Sequence, residues 1–249
     1  MTDALLAEAA LNPDSVVLDL AAGSGDPALS IAERLTTGKV VAIDRSRSGL
    51  LLAKTHAEQL GLGSMIACLQ ADAHAIPVAP NCVDSITCRC GMMFFNNSAK
   101  VMAEMLRILK PGGRVALLAW GSFEQPFFAA TVGVVIELLR GAEMPSEARK
   151  MFRFATAGSL KQQLRDAGFS HVQEESLIVP RIWAGTPEGL WEYQQEVSTL
   201  CHPLFANILP ALKSEVDAKV SSALSRFQNG TVLSVPVTVI VAAGRKPGA

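Results

Sequence analysis

The stretch VLDLAAGSGDPALSIA, residues 17–32, decides how the rest of the chain is read. A run of β-branched and aliphatic residues passes into a turn of small residues and then into a helical pattern, so the local order is strand, glycine loop, helix. Gly23 and Gly25 let the backbone turn sharply and approach a ligand with no Cβ in the way. Read literally, Gly23, Gly25 and Ala28 fit the GxGxxG/A pattern of dinucleotide-binding folds, and a second strand ends at Asp44, where an acid can take ribose hydroxyls. A glycine pair in such a turn is also plain structural punctuation, so the pattern alone leaves the ligand open.

Charge narrows the choice. A pyrophosphate would sit at the N-terminus of the helix after Gly25, but this sequence has Asp26 there and Asp19 near the end of the strand. Two carboxylates repel a pyrophosphate and suit a ligand with a cationic end, and S-adenosylmethionine carries an ammonium and a sulfonium beside its ribose and adenine. Asp26 can equally be a helix N-cap. Asp19 stands among Val16, Val17, Leu18 and Leu20, where an acid needs a hydrogen-bond partner or a cationic ligand to offset its desolvation.

Working outward, short apolar runs alternate with helical patterns from residue 15 to 120, as in a parallel sheet with crossover helices. Five strands are predicted, at 15–21, 39–44, 65–70, 83–88 and 114–120. Between them lie DPALSIAERL, SGLLLAKTHAEQL and SAKVMAEMLRIL, the last placing Val101, Met102, Met105, Leu106 and Leu109 on one face. KPGG at 110–113 is expected to stop that helix with a glycine after its last turn. Beyond 120 the pattern becomes helix-rich, with a strand from His171 to about Pro180 and a last one at 231–243, whose Pro236 calls for a bulge or an edge position. No linker rich in Pro, Gly or Ser separates a second domain, so 1–249 is read as one domain. Residues 1–120 form its cofactor-binding core, 121–230 a mainly helical cap and substrate region, and 231–244 the final strand.

The 249 residues carry 22 Lys and Arg against 23 Asp and Glu, a net charge of -1, which gives no basic excess for a nucleic-acid partner. Charged residues are 18% and apolar ones 49%, which excludes disorder and implies a very apolar interior or a large apolar pocket. Cysteines at 68, 82, 88, 90 and 201 form no paired CxxC sets and are odd in number, so neither a disulfide framework nor a metal site is expected. A reducing, cytoplasmic location fits, since the N-terminus has acids where a signal peptide needs a basic flank. The uncharged runs 197–212 and 227–244 are broken by His202, prolines and polar residues, and no membrane span is expected.

Taken together, VLDLAAGSGD, VVAIDRS, LQADAHAIP, VDSITCRCGMMFF and LRILKPGGRVALLAW resemble the ordered motifs of the class I S-adenosylmethionine-dependent methyltransferases, in the branch similar to the ubiquinone/menaquinone C-methyltransferases and the type 11 methyltransferase domain. The resemblance is close over residues 15–120. It implies a Rossmann-like α/β fold with a seven-stranded, mostly parallel sheet, the last strand antiparallel, helices on both faces and a helical cap. It implies S-adenosyl-L-methionine as cofactor and S-adenosyl-L-homocysteine as product. The methionine moiety would lie against Asp19, Ala21, Gly23 and Gly25, Asp44 would take the ribose hydroxyls, and Asp72 with Ala73 the adenine amino group. Arg45 would lie near the adenine, and the backbone of Cys88 would border the cofactor. Asp72 can also be a simple Asx-turn, and Arg45 a solvated surface side chain.

CRCGMMFF, residues 88–95, follows the fourth strand at the carboxyl edge where open α/β sheets hold ligands. Arg89 is expected to contact the methionine carboxylate or the acceptor. Met92, Met93 and Phe95 are expected to floor a substrate pocket that Trp120, Phe127 and Trp183 complete. Cys88 and Cys90 are read as packing groups. Methyl transfer from a sulfonium needs alignment more than a base; of the histidines only His202 in the cap is a candidate to face an acceptor and serve as a base, and it can equally be a packed or solvent-facing cap residue. The apolar cap suits a phenolic, quinone or polyketide-like natural product, methylated on oxygen or carbon. The family usually has extra helices before the glycine-rich strand, reached here by residue 15; the lid is expected from 121–227, or from a partner subunit, which leaves a homodimer open, or else this sequence is a shortened one with a more open site. An NAD(P)-dependent oxidoreductase and a non-catalytic cofactor-binding protein remain the competing readings.

Overall fold

The computed structural model describes residues 1–248. Eight strands run in chain order: β1 Val16–Leu20, β2 Lys39–Asp44, β3 Ile66–Gln70, β4 Val83–Arg89, β5 Leu109–Trp120, β6 Ser170–Ala184, β7 Gln228–Asn229 and β8 Val232–Arg245. The helices are α1 Thr2–Glu8, α2 Ala28–Ala32, α3 Arg47–Gln59, α4 Ser98–Ile108, α5 Pro126–Phe128, α6 Val134–Leu138, α7 Ser146–Arg149, α8 Ser159–Asp166, α9 Pro187–Val197, α10 His202–Phe205 and α11 Pro210–Ser225. One sheet has the order β3-β2-β1-β4-β5-β8-β6, with β7 added beside β8. Strands β1 to β5 are parallel to their neighbours. In contrast β8 runs antiparallel to β5: the Gly112 amide donates to the Lys246 carbonyl (3.0 Å) and the Lys246 amide donates back to the Gly113 carbonyl (2.9 Å). The Rossmann-like arrangement therefore holds, with the two-residue β7 as an eighth strand.

The chain forms two compact units, Met1–Ala119 with Thr156–Ser176 and Ile240–Ala249, and Trp120–Ala155 with Leu177–Val239. The first holds the parallel sheet. Val17, Leu18, Ile43, Ile86, Val115 and Leu117 are fully buried, because a parallel strand covered on both faces reads as a continuous apolar run. Helix α3 starts where Ser46 Oγ accepts the Gly49 amide (3.1 Å), and α4 where Asn97 Oδ1 accepts the Lys100 amide (3.0 Å). The first unit also takes α8 and the start of β6, both inside the stretch 121–230.

Two local expectations need correction. The KPGG segment does not cap a helix: α4 ends at Ile108, Leu109 is already extended (ψ 140), and Gly112 at φ 78 lies within β5, beside a register shift at Val83/Ser85. Buried Val101, Met102, Met105 and Ile108 make the helix face, so Leu109 packs from the strand instead. Nor is β8 an edge strand, for β5 and β6 flank it. Its Pro236 is tolerated because β5 ends at Trp120: the Gly121 amide reaches the Thr238 carbonyl (2.9 Å), while Gln125 Oε1 takes the Thr238 amide (2.7 Å). Pro236 faces the same side two residues on, where no β5 acceptor remains for it to lack.

In the second unit, α9 begins where Thr186 Oγ1 accepts the Gly189 amide (3.2 Å), with Pro187 in the first turn. It packs against α11, fixed by Trp191 Nε1 donating to Asp217 Oδ1 (2.8 Å). Among the described residues no helix is long and apolar enough to cross a membrane.

Candidate functional site

The carboxyl ends of β1, β2 and β4 bring the first unit's site residues together, since Leu20 pairs in register with Ile43 and Asp19 with Thr87. After β1 the backbone takes positive φ at Ala21 (60), Gly23 (53) and Gly25 (114). A side chain at Gly23 would meet only open space, so there the glycine serves the turn and leaves room above it. At Gly25 a Cβ would press Leu29 and the Ala53 backbone at 3.0 to 3.2 Å, so this glycine lets α3 approach. Asp44 ties the loop to β2: its Oδ2 accepts the Gly23 amide (2.9 Å) and its Oδ1 the Ser46 amide (2.7 Å). A carboxylate offers about four acceptor positions, so further donors can still be taken.

Asp19 is fully buried. Thr87 Oγ1 donates to its Oδ1 (2.7 Å), while Oδ2 has no partner. Burial pushes the carboxyl up to about 7, against the lowering by the Thr87 hydroxyl and the Arg89 charge. The Ala28 backbone amide also lowers it, yet Oδ2 keeps acceptor capacity in a buried setting.

Asp26 is a correction. It neither caps α2, whose N-cap is Pro27, nor stands as a free charge. Its carboxylate pairs with Arg89 Nη1 (2.8 Å) and accepts the Thr2 hydroxyl (3.0 Å), while Arg89 Nη2 donates to the Asp26 carbonyl (2.9 Å). The repulsion that the sequence assigns to two acids thus falls on Asp19, and Arg89 is committed to the loop. At the end of β4, Gly91 is a site residue that sequence reasoning missed: a Cβ there would come within 2.6 Å of Ala21 Cβ and 2.7 Å of Cys88 Sγ. The glycine in CRCG was the available signal. Burial raises the Cys88 thiol above its ordinary value and Cys90 to about 11, so neither is a thiolate at neutral pH.

Asp72 forms the Asx-turn: its Oδ1 accepts the His74 amide (2.9 Å), which holds the carboxyl below its ordinary range, and lies 2.7 Å from the His74 ring. Ala73 is buried beside it, and Arg45 is exposed. Among the described residues no group of three or more His, Cys, Asp or Glu is placed to hold a metal ion.

The second unit holds a half-open cavity of about 230 Å³, with Trp120, Phe127, Phe128, Trp191 and Tyr193 in its wall. The Trp120 and Phe128 rings meet edge to face with centroids 5.2 Å apart. Of the residues expected to line a substrate pocket, Trp120 and Phe127 line this one. Trp183 instead stacks on Tyr193 at 5.1 Å, outside the wall. Met92, Met93 and Phe95 belong to the first unit, where both methionines are fully buried core. His202 does not line the cavity either: its exposed ring binds the carbonyls of Gln195 (2.9 Å) and Glu196 (3.2 Å) at the end of α9, where orphan carbonyls need donors.

Residues 11–156 match the family model described as methyltransferase domain. The chain is 30% identical over 183 residues to the ubiquinone/menaquinone biosynthesis C-methyltransferase UbiE of Francisella philomiragia, covering 69% of this chain and 73% of that one. It is 31% identical over 167 residues to the demethylmenaquinone methyltransferase of Thermus thermophilus, covering 62% and 74%. Among solved structures it superposes on Haemonchus contortus phosphoethanolamine N-methyltransferase 2, determined with S-adenosyl-L-methionine, at a TM-score of 0.60 and 17% identity, over 99% of this chain and 52% of that one.

Proposed function

This chain belongs to the class I S-adenosylmethionine-dependent methyltransferases, and on that premise we propose that it methylates an apolar, ring-bearing small molecule held in the second unit's cavity. The acceptor is a phenolic, quinone or polyketide-like compound, methylated on oxygen or carbon. The observation that carries this reading is the cavity wall, rich in aromatic side chains and without Asp, Glu or His. Relatives named for C-methylation in ubiquinone and menaquinone biosynthesis support a ring acceptor.

The first unit's residues fit the cofactor. The orphaned Oδ2 of Asp19 suits an ammonium, Asp44 keeps acceptor capacity for ribose hydroxyls, and Gly23 leaves open the space a side chain would fill. Ala21 and Gly25 shape the turn, and the Cys88 backbone and Gly91 border it. Asp72 and Ala73 would receive the adenine amino group, with Arg45 beside them. Arg89 acts through Asp26, holding the loop. When bound, S-adenosylmethionine supplies a methyl group on a positively charged sulfur, so displacement depends on alignment more than on a strong base. The cavity accordingly offers shape and no proton acceptor of the His or carboxylate kind. The five cysteines are free, which suits a reducing cytoplasm.

The test is transfer of labelled methyl to a panel of phenols, quinols and small polyketides. Transfer to at least one, abolished by filling the cavity through Thr131→Trp, supports the reading. Tight binding of S-adenosylhomocysteine with no transfer to any member of the panel overturns it.

A further inference from the structure

We propose that the second unit's cavity selects acceptors that carry an anionic oxygen on a one- or two-ring aromatic body, with Arg181 and Gln194 as the specificity-determining residues. The inference rests on the reading of this cavity as the acceptor's seat and narrows the acceptor to one whose apolar ring body carries a single anionic group.

Arg181, in the far half of β6, brings its guanidinium over the Phe127 ring, 4.2 Å from the centroid. Among the described residues no carboxylate or hydrogen-bond acceptor acts on it, although a guanidinium carries five N–H donors. Contact with a ring face attracts the cation but does not neutralise it. Burial presses the group below its ordinary value, yet an arginine stays charged. No acid lines the cavity to balance it.

The second donor is Gln194, only 6% exposed. Its Oε1 accepts the Ser198 hydroxyl (3.2 Å), which assigns the other end of the amide as the donor, and that Nε2 has no partner. One buried donor without a partner, Gln194 Nε2, and one half-buried guanidinium with no acid beside it thus line the same cavity. Leaving the buried amide unpaired is costly and the guanidinium lacks a counter-charge, and an anionic group in the cavity supplies acceptors for both. A neutral hydrocarbon would satisfy neither. The volume of about 230 Å³ exceeds the ~150 Å³ that accommodates benzene, so a body of one or two rings fits. The carboxylate or ionised hydroxyl is the shared chemistry.

The experiment titrates the full chain, saturated with S-adenosylhomocysteine, with 1-naphthoate and with its neutral shape analogue 1-naphthamide. Quenching of the cavity tryptophans and calorimetry both report binding. Naphthoate is expected to bind at least about tenfold more tightly than naphthamide, as a charge-assisted bond implies. Arg181→Met should erase that preference and Arg181→Lys should retain part of it, with affinity for S-adenosylhomocysteine unchanged as the sign that each variant is folded. Should Arg181→Met not fold, the wild-type pair and Arg181→Lys decide. Equal or weaker binding of naphthoate by the wild type, no binding of either compound, or a preference that survives Arg181→Met would overturn the proposal. Methyl transfer to neutral phenols with no preference for acids would sink the anion selectivity and leave the proposed function standing. Selective naphthoate binding with no transfer to any hydroxynaphthoate or other acceptor would do the reverse.

Discussion

Replacing Asp19 by asparagine should make the empty protein more stable at neutral pH and above while weakening its hold on the cofactor. Burial raises the Asp19 carboxyl from 3.8 to about 7, so between those values the folded state keeps a proton that the unfolded state has lost. The folded state binds more protons, hence stability falls as pH rises from about 4 to about 7 and then levels off. At ~1.36 kcal/mol per pH unit, ionising this group costs about 4 kcal/mol of stability in full. The substituted side chain would keep the Thr87 hydrogen bond through its carbonyl but bury an unpartnered amide, at ~1–3 kcal/mol. The net gain for Asp19→Asn near pH 8 is then roughly 1–3 kcal/mol, or several degrees in Tm at ~2–4 °C per kcal/mol. On acidification the difference should shrink and then reverse, leaving the wild type the more stable protein by roughly 1–3 kcal/mol near pH 4.

The same carboxylate must be ionised to receive an ammonium. Wild-type affinity for S-adenosylhomocysteine should therefore rise about tenfold from pH 6 to pH 8, following the ionised fraction of a group near 7. In Asp19→Asn the affinity should fall by roughly ten- to hundredfold at pH 8 and lose most of this slope. Melting curves from pH 4 to 8 and calorimetry with the same protein measure both. An Asp19→Asn protein melting at or below the wild type at pH 8, or a wild-type affinity flat across that range, would refute the reasoning.

Other residues give sharper local tests. Gly91→Ala forces a Cβ within 2.6 Å of Ala21 and 2.7 Å of Cys88, so S-adenosylhomocysteine binding should weaken by about tenfold or more while the far-UV spectrum is preserved; unchanged affinity would show that the turn can give way. Asp44→Ala removes the acceptor of two backbone amides, and the same calorimetry should register a loss of roughly ten- to hundredfold. His202→Ala should leave kcat for methyl transfer within about threefold, because the ring serves α9 carbonyls and not the cavity; a drop of ~10²-fold, the scale of general-base catalysis, would restore it as a base. Trp191→Ala deletes a fully buried indole and its bond to Asp217, and chemical denaturation should show about 3–5 kcal/mol lost.

The sequence by itself determined the parallel core and the glycine turn. Alternation of apolar runs and helical periods is a local property, so β2 falls where KVVAID stands and β8 where its valines recur. The glycine loop after β1 was legible for the same reason, since positive φ at Gly23 and Gly25 and a buried acid in VLDL are written within ten residues. What only the tertiary structure decided involves partners far apart in the chain. Asp26 is paired by Arg89, 63 positions away, which removes a charge that the local sequence counts as free. Gly91 gains its importance from Ala21 across the sheet. Met92 and Met93 look like pocket residues in CRCGMMFF but are core, while the cavity takes Arg181 and Gln194 from segments with no motif to mark them. Backbone preference acts over a few residues and can be read from them. Charge compensation and cavity walls depend on which distant side chains folding brings together, and no local pattern encodes that.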